Sequence, residues 1–314
     1  MNEIGLQSVK SPAKRMLLRY WRHRYLFLLL TPALIWYIIF RYIPLYGVQI
    51  AFKDFRLLVG IWASPWVGFD HFVFLFTASP DFGRIMFNTI WLSLLQTFFG
   101  FPAPILLALL LNELWGKKFM KVIQNISYLP HFFSWVVMSA LWINMLSPSR
   151  GVINQVIMAF GGQPIFFMAD QAWIRTVLVF TGIMKGVGWG SIIFIAAISG
   201  IDPEMYEAAV IDGAGRIKQA IHITIPSIMP IITIMAIMSM GGILDAGFDQ
   251  ILNMMTPVTR PVIDVIDTYV YRIGLERIMY SMASAVGLFK TVVSFIVILF
   301  VNFIVKKMGQ PGLF

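Results

Sequence analysis

The 314-residue chain contains no cysteine. Disulfide scaffolds, zinc–thiolate sites, iron–sulfur clusters and thiol nucleophiles are thereby excluded. Charge is also scarce: Asp, Glu, Lys and Arg make up 12% of residues, about half the share of a soluble globular chain. The four histidines, His23, His71, His131 and His222, are scattered, with no pair at metal-ligand spacing. The chain has no G-x-x-x-x-G-K-[ST] phosphate loop, no H-E-x-x-H and no G-x-S-x-G. Gly186-Val-Gly188-Trp-Gly190 is a fragment of a dinucleotide-binding pattern, but it lies inside an apolar stretch and follows no strand. No enzyme motif survives this search.

Apolar side chains fill the space that charge leaves. Hydrophobic residues account for 59% of the chain, with 27 Phe, 19 Met and 10 Trp. So little charged surface cannot cover that much apolar side chain, so much of the chain must be solvated by lipid. The same balance excludes disorder. The methionines, several of them in 229–240, read as flexible apolar filler.

The predicted fold class is all-α, a polytopic membrane protein with six transmembrane helices. A span needs about 20 mostly apolar residues, and six windows qualify: 25–47, 87–111, 123–146, 174–199, 227–248 and 283–305. An even number puts both termini on one side. That side, residues 1–24, 112–122, 200–226 and 306–314, carries thirteen Lys/Arg in 71 residues, whereas the opposite side carries seven in 100. The positive-inside rule therefore makes both termini cytoplasmic. The net charge of +9 is a topology signal and a contact with anionic lipid heads. No basic face interleaves with stacking aromatics, so no nucleic-acid partner is expected.

The first apolar stretch is too long for a signal-peptide core of about 7–15 residues and has no small-residue cleavage site after it, so it reads as an uncleaved span. Arg41 and Arg175 lie near outer ends and are expected to snorkel to the interface. Residues 62–76 and 262–282 are aromatic and amphipathic, with Tyr269, Tyr271 and Tyr280 among charges in the second. Such segments lie along the lipid interface or form an external docking surface. The organisation expected is a basic cytoplasmic tail (1–24), a first span (25–47), an extracytoplasmic amphipathic segment (48–84), a main membrane domain (85–305) and a short cytoplasmic tail (306–314).

The longest cytoplasmic loop, 202–226, is the most informative segment. Asp202 can cap a helix and Pro203 suits its first position. Glu204 and Glu207 favour the positive end of its dipole. Gly213 marks its end, where positive φ is expected. A second short helix is predicted from about Gly215 to Ile223, broken by Pro226. The small Ala208, Ala209, Gly213 and Ala214 leave room for another surface to come close. The bland alternative is an amphipathic connector lying on the bilayer. Asn112-Glu113 reads as a helix-end cap.

The order Glu207-Ala208-Ala209, three residues, Gly213, nine residues, Ile223-Thr-Ile225-Pro226 fixes seven positions over 20 residues. It resembles the EAA loop of the permease subunits of type I ATP-binding-cassette importers. Ile225 stands where leucine is commoner. Pro32-Ala33-Leu34, Ile43-Pro44, Phe52-Lys53-Asp54-Phe55, Pro65-Trp66-Val67-Gly68-Phe69 and Phe87-Asn88-Thr89 are similar to the carbohydrate-uptake branch. That branch holds the maltose-permease relatives and, closer, the lipoprotein or complex-polysaccharide permeases. The resemblance implies a coupling helix in which Glu207 and Asp212 are polar anchors and Gly213 permits the bend. It implies partners on separate chains: a second permease, taken as a paralogue, two ATPase subunits and an extracytoplasmic solute-binding protein in a bacterial cytoplasmic membrane. It also implies that ATP and magnesium belong to the ATPase, with no cofactor on this chain, and that the cargo is an oligosaccharide.

Polar groups inside spans point to function. The fourth span carries Lys185 and Trp189, with Gly182, Gly186 and Gly190 at i, i+4 and i+8, a small-residue face suited to close helix packing or a central cavity. Asp245 and Asp249 end the fifth span, Lys290 sits a third of the way into the sixth, and Trp142 and Asn144 lie near the outer end of the third. Trp stacks on a pyranose, Lys and Asp bond hydroxyls, and Lys185 and Lys290 would attract a carboxylated sugar. Alternatively, the two lysines form ion pairs with Asp245 or a partner's acid. An importer for a peptide or polyol is the nearest rival. A secondary transporter would need an inverted repeat and a midplane carboxylate relay, which are not seen.

Overall fold

The computed structural model describes Trp21 and residues 23–114, 116–242 and 244–307. Most of the two predicted tails, 1–24 and 306–314, lies outside the described residues. A chain in hydrocarbon must pair its backbone groups internally, which leaves the helix as the economical solution. Accordingly, the strand pairing among the described residues is one isolated antiparallel bridge, Lys53 to Trp66. The chain divides into two compact units, residues 1–68 and 69–314.

The first unit is built on α1, Arg24–Phe52. It is α-helical to Tyr37, then passes through a π turn, Ile38–Tyr42, and a 3-10 stretch, Ile43–Phe52. It is apolar all round, with Leu28, Leu29, Phe40 and Ile43 all exposed, as a helix facing lipid must be. A short helix, α2 (Gly60–Ala63), follows. The Lys53 Nζ donates to the Ile61 carbonyl at 2.7 Å and stands 4.9 Å from the Trp66 ring centroid, which holds this turn closed.

The second unit runs α3 (Asp70–Thr77), α4 (Phe82–Asn112), α5 (Lys117–Tyr128), α6 (Trp135–Met145), α7 (Val152–Ala159), α8 (Ile174–Ile198), α9 (Pro203–Ile211), α10 (Arg216–Met240), α11 (Phe248–Met254), α12 (Arg260–Ile263), α13 (Ile266–Tyr271) and α14 (Tyr280–Lys307). With α1, helices α4, α8, α10 and α14 are each long and apolar enough to cross a membrane. Helix α8 is central and packs on α4, α5, α10 and α11. One core joins Leu92, Trp142, Leu178, Ile251 and Ile263, and another joins Ala108, Phe194, Ile198 and Ile228.

Three spans depart from the sequence expectation. The window 123–146 is not one helix but a pair, Lys118–Phe132 and Trp135–Met145, bent by 108°. Pro130 has no N–H to give and sits in a 3-10 turn, Phe133 is extended, and Ser134 restarts the helix by accepting the Val137 N–H. The second short helix expected after Gly215 does not stop at Pro226. A π turn, Ala220–Thr224, leads directly into the span, so α10 runs unbroken to Met240. The wider turn displaces the carbonyls that a prolyl ring would otherwise strike. The fifth window, 227–248, is likewise shifted: its helix ends at Gly241-Gly242, and Gly247 in the left-handed region (φ +82°) opens α11. Asp245 therefore lies on non-helical backbone, and Asp249 lies in the first turn of α11.

Two interfacial readings are also corrected, one of them in part. Arg175 does not snorkel: it donates to the Val262 carbonyl (3.0 Å) and the Asn88 Oδ1 (3.0 Å). The segment 262–282 lies only partly at a surface, because Ile263, Val265, Ile266 and Ile273 are buried whereas Leu275, Ile278 and Met279 are exposed. The Asn88 Nδ2 holds the Pro261 and Asp264 carbonyls, the Thr89 Oγ1 accepts the Ile266 N–H, and the buried Asp264 pairs with Arg272. Burial pulls the Arg272 guanidinium down, but the hydrogen bond and charge of Asp264 together raise it further. Backbone without helical pairing is tolerated deep in such a bundle only with partners of this kind.

Candidate translocation and coupling sites

The coupling segment folds as the cap chemistry dictates. The Asp202 Oδ1 accepts the Glu204 N–H at 3.0 Å and Pro203 occupies the first turn of α9. At the other end, the Gly213 N–H bonds the Val210 carbonyl (3.0 Å) and the Ala214 N–H bonds the Ala209 carbonyl (2.8 Å). With φ +75° at Gly213 this is a complete Schellman stop, followed at once by α10. Glu207, Ala208, Asp212 and Gly213 are exposed, while Ala209 and Ala214 are half-buried. Val210, Ile211 and Ile217 are 63%, 86% and 76% exposed, an apolar group at the polar end of the bundle. The segment is tied to its own chain by polar links. The Tyr206 hydroxyl meets the Thr224 Oγ1 at 2.9 Å, and Arg216 donates to the Glu113 carbonyl and pairs with its carboxylate. Glu113 is thus a docking point for the loop as well as a helix end.

The intramembrane polar groups divide into two clusters. In one, the Lys185 Nζ donates to three carbonyls, of Pro130, His131 and Phe133, at the α5–α6 break. The Trp189 ring stacks on His131 (4.6 Å between centroids, 3° between planes) and meets Phe132 edge-on. Lys185 therefore has carbonyls, not an acid, as partners. In the other cluster, the Lys290 Nζ lies 2.7 Å from an oxygen of Asp245 and 2.7 Å from both oxygens of Asp267. Burial pushes the Asp267 carboxyl above its ordinary value, and the Lys290 hydrogen bond opposes that rise. Asp267 lies in the outer segment, where sequence gave no reason to single it out.

Asp245 lines three cavities. One, of about 490 Å³, is bounded by Ser93, Gln96, Thr97, Phe194 and Ser239. A second, of about 320 Å³, includes Gly182, Gly186, Trp135 and Gln250. A third, of about 560 Å³, includes Asp267, Tyr271 and Tyr280. The Ser93 Oγ is buried without a hydrogen-bond partner beside the first. Gly186 faces open space and Gly190 touches Pro104, but the closest backbone approach is at Gly188, where a Cβ would stand 2.0 Å from the Ser127 carbonyl oxygen. Asn144 bonds its own helix at Ala140 and stays exposed, as does Asp249. These two are not brought to the Asp245 cluster by any hydrogen bond among the described residues.

Residues 100–310 match the family described as binding-protein-dependent transport system inner membrane component. The chain is 45% identical to Protein LplB of Bacillus subtilis over 93% of its own length and 92% of that protein. It is 40% identical to the polygalacturonan/rhamnogalacturonan transport system permease protein YteP of the same species, over 97% and 95%. It is also similar in structure to a chain of a bacterial ABC transporter involved in the import of the acidic polysaccharide alginate. The TM-score is 0.87 with 40% identity, covering 94% of this chain and all of that one. Cavities flanked by long lipid-facing helices and an exposed cytoplasmic-type loop are what such a permease requires, and this chain belongs to the family of binding-protein-dependent transport system inner membrane components.

Proposed function

We propose that the chain is one of two permease subunits of an ATP-driven importer in a bacterial cytoplasmic membrane, with cargo drawn from acidic polysaccharides. Relatives named for polygalacturonan and alginate support that cargo class. A cavity of about 490 Å³ sets Ser93, Gln96, Thr97, Ser239 and Asp245 beside Phe101, Phe194, Met235 and Met238, so hydrogen-bonding groups and apolar faces are both at hand for a sugar ring.

In this reading the chemistry of ATP and magnesium resides on two separate ATPase subunits, and a solute-binding protein delivers cargo from outside. The neighbouring alginate importer has been captured with a periplasmic protein carrying an alginate pentasaccharide. The second permease is a paralogue that completes the pathway around Asp245. Work enters through α9. The single observation that carries this is the Schellman-capped α9, exposed at Glu207, Val210 and Ile211, joined to α10 by Tyr206 and Thr224, with α10 in turn tied to the end of α4 by Arg216 and Glu113. An ATPase groove that grips it can pull on α4 and α10 together. Lys185, with its N–H groups on carbonyls, holds the α5–α6 bend with Trp189 and does not read cargo.

The test is Glu207→Lys in the assembled complex. Uptake should fall to background while membrane insertion and cargo-free assembly of the permease pair persist. Uptake at the wild-type rate would rule out coupling through this loop.

A further inference from the structure

We infer that Lys290 is the group that reads a carboxylate on the cargo, and that Asp245 is the stand-in carboxylate that occupies it when the pathway is empty. The inference rests on the acidic-cargo reading above and goes further by naming the cation and its competitor. Lys290 holds two aspartates, and the two are not equivalent. Asp267 gives both oxygens and its side chain is 23% exposed, whereas Asp245 gives one oxygen and is 73% exposed. One aspartate is an anchor within the fold, and the other projects into the cavities. Lys290 itself is 17% exposed, so its charge is hidden behind Asp245.

The backbone around Asp245 makes exchange feasible. The residue lies between the end of α10 and the start of α11, after Gly241-Gly242 and before Gly247 at φ +82°. A local turn, Asp245 N–H to Gly242 carbonyl at 2.7 Å, holds it, with no ladder of helical bonds to break. The three cavities that Asp245 lines have no lysine or arginine among their described lining residues. A carboxylated sugar that enters them meets net negative charge, one ammonium against two carboxylates. It gains a cation only by displacing Asp245. Asp267 keeps Lys290 in place during the exchange, and the count of carboxylates on the ammonium stays at two. A neutral sugar has nothing to offer Lys290 and cannot displace Asp245. The same triad thus keeps a buried cation paired when empty and sets a preference for acid when loaded.

The test compares tri-galacturonate with its neutral galactose counterpart on the assembled complex in nanodiscs, without a binding protein, by saturation-transfer NMR. Asp245→Asn keeps the shape of the side chain and removes the competing charge. It should tighten tri-galacturonate binding by about tenfold and leave the neutral sugar unchanged. Lys290→Gln with Asp267→Asn removes the ammonium together with its half-buried counter-charge, so the only carboxylate left without its ion pair is the exposed Asp245. That pair should lose the preference for tri-galacturonate over the neutral sugar, and Lys290→Arg should retain it. If Asp245→Asn weakens both sugars equally, Asp245 is a hydroxyl acceptor and the inference fails. It fails equally if the double variant keeps its preference for acid. A wild-type complex that imports tri-galacturonate in proteoliposomes supplied with the binding protein, but binds both sugars alike in nanodiscs, overturns this inference alone. One that imports neither sugar removes the cargo reading and the inference with it.

Discussion

A methyl group at Gly188 would come within 2.0 Å of the Ser127 carbonyl oxygen and 2.9 Å of its Cβ, where real contacts do not occur. The obstruction is backbone, so α5 and α8 would have to separate. Gly186, one half-turn away, has nothing within 4 Å of the same position. Gly188→Ala should therefore destabilise the solubilised protein by about 1–3 kcal/mol, whereas Gly186→Ala should be neutral or stabilising by about 0.5–1 kcal/mol through helix propensity. Thermal unfolding of the two variants side by side checks this, and equal shifts would disprove the close approach. Gly213 is constrained differently: nothing lies near it, but its φ of +75° is that of the Schellman stop. Gly213→Val should disorder the turn between α9 and α10 and abolish uptake, while Gly213→Asn, which tolerates the left-handed region, should keep most of it. Retention of uptake by both variants would show that the bend is dispensable. The sequence foretold Gly213 because the cap pattern is local. It did not single out Gly188 for close packing, because what makes that glycine necessary is an oxygen 61 positions away.

At the scale of elements, the long helices were legible and their interruptions were not. Windows of apolar residues located α1, α4, α8 and α14 closely, since lipid leaves a helix with little other choice. The bend between α5 and α6 was hidden because the stretch around Pro130 and Ser134 is apolar enough on average to pass as one span, and it is Lys185 from another helix that satisfies the freed carbonyls. Orphaned helix-end carbonyls in a low-dielectric bundle cost about 1–3 kcal/mol each. Lys185→Met should accordingly loosen this joint. Hydrogen exchange should rise at the Ser134–Val137 turn and leave α14 unchanged, and uptake should fall. Lys185→Arg, which still carries several N–H groups, should restore much of both. Unaltered exchange in Lys185→Met would mean that the bend holds itself. The same distinction explains Asp245. Sequence placed it at the end of a helix, but its position on open backbone depends on Gly241-Gly242 and on Gln96, which donates to the Ala246 carbonyl at 3.2 Å.

For the whole molecule, the number of crossings decides which way every loop faces. Five helices are continuous, and the sixth candidate is the pair bent by 108°, which is either a broken span or a loop that re-enters the same face. The charge asymmetry argues for a crossing. Thirteen Lys/Arg fall on one set of loops only if α5 and α6 together traverse the bilayer, since a re-entrant pair would place the 202–226 loop opposite the 112–122 loop. The Arg216–Glu113 ion pair joins those two loops directly, so both must lie on one face. The ion pair and the charge asymmetry thus both favour a bent crossing over a re-entrant loop. The absence of cysteine makes this testable without a background to remove. In intact cells, a membrane-impermeant maleimide should label Ser149→Cys, beyond α6, and should leave Lys118→Cys and Gln219→Cys unlabelled until the membrane is opened. Protection of both Ser149→Cys and Lys118→Cys until the membrane is opened would turn the bent pair into a re-entrant loop. It would also place α9 beyond the reach of any cytosolic ATPase.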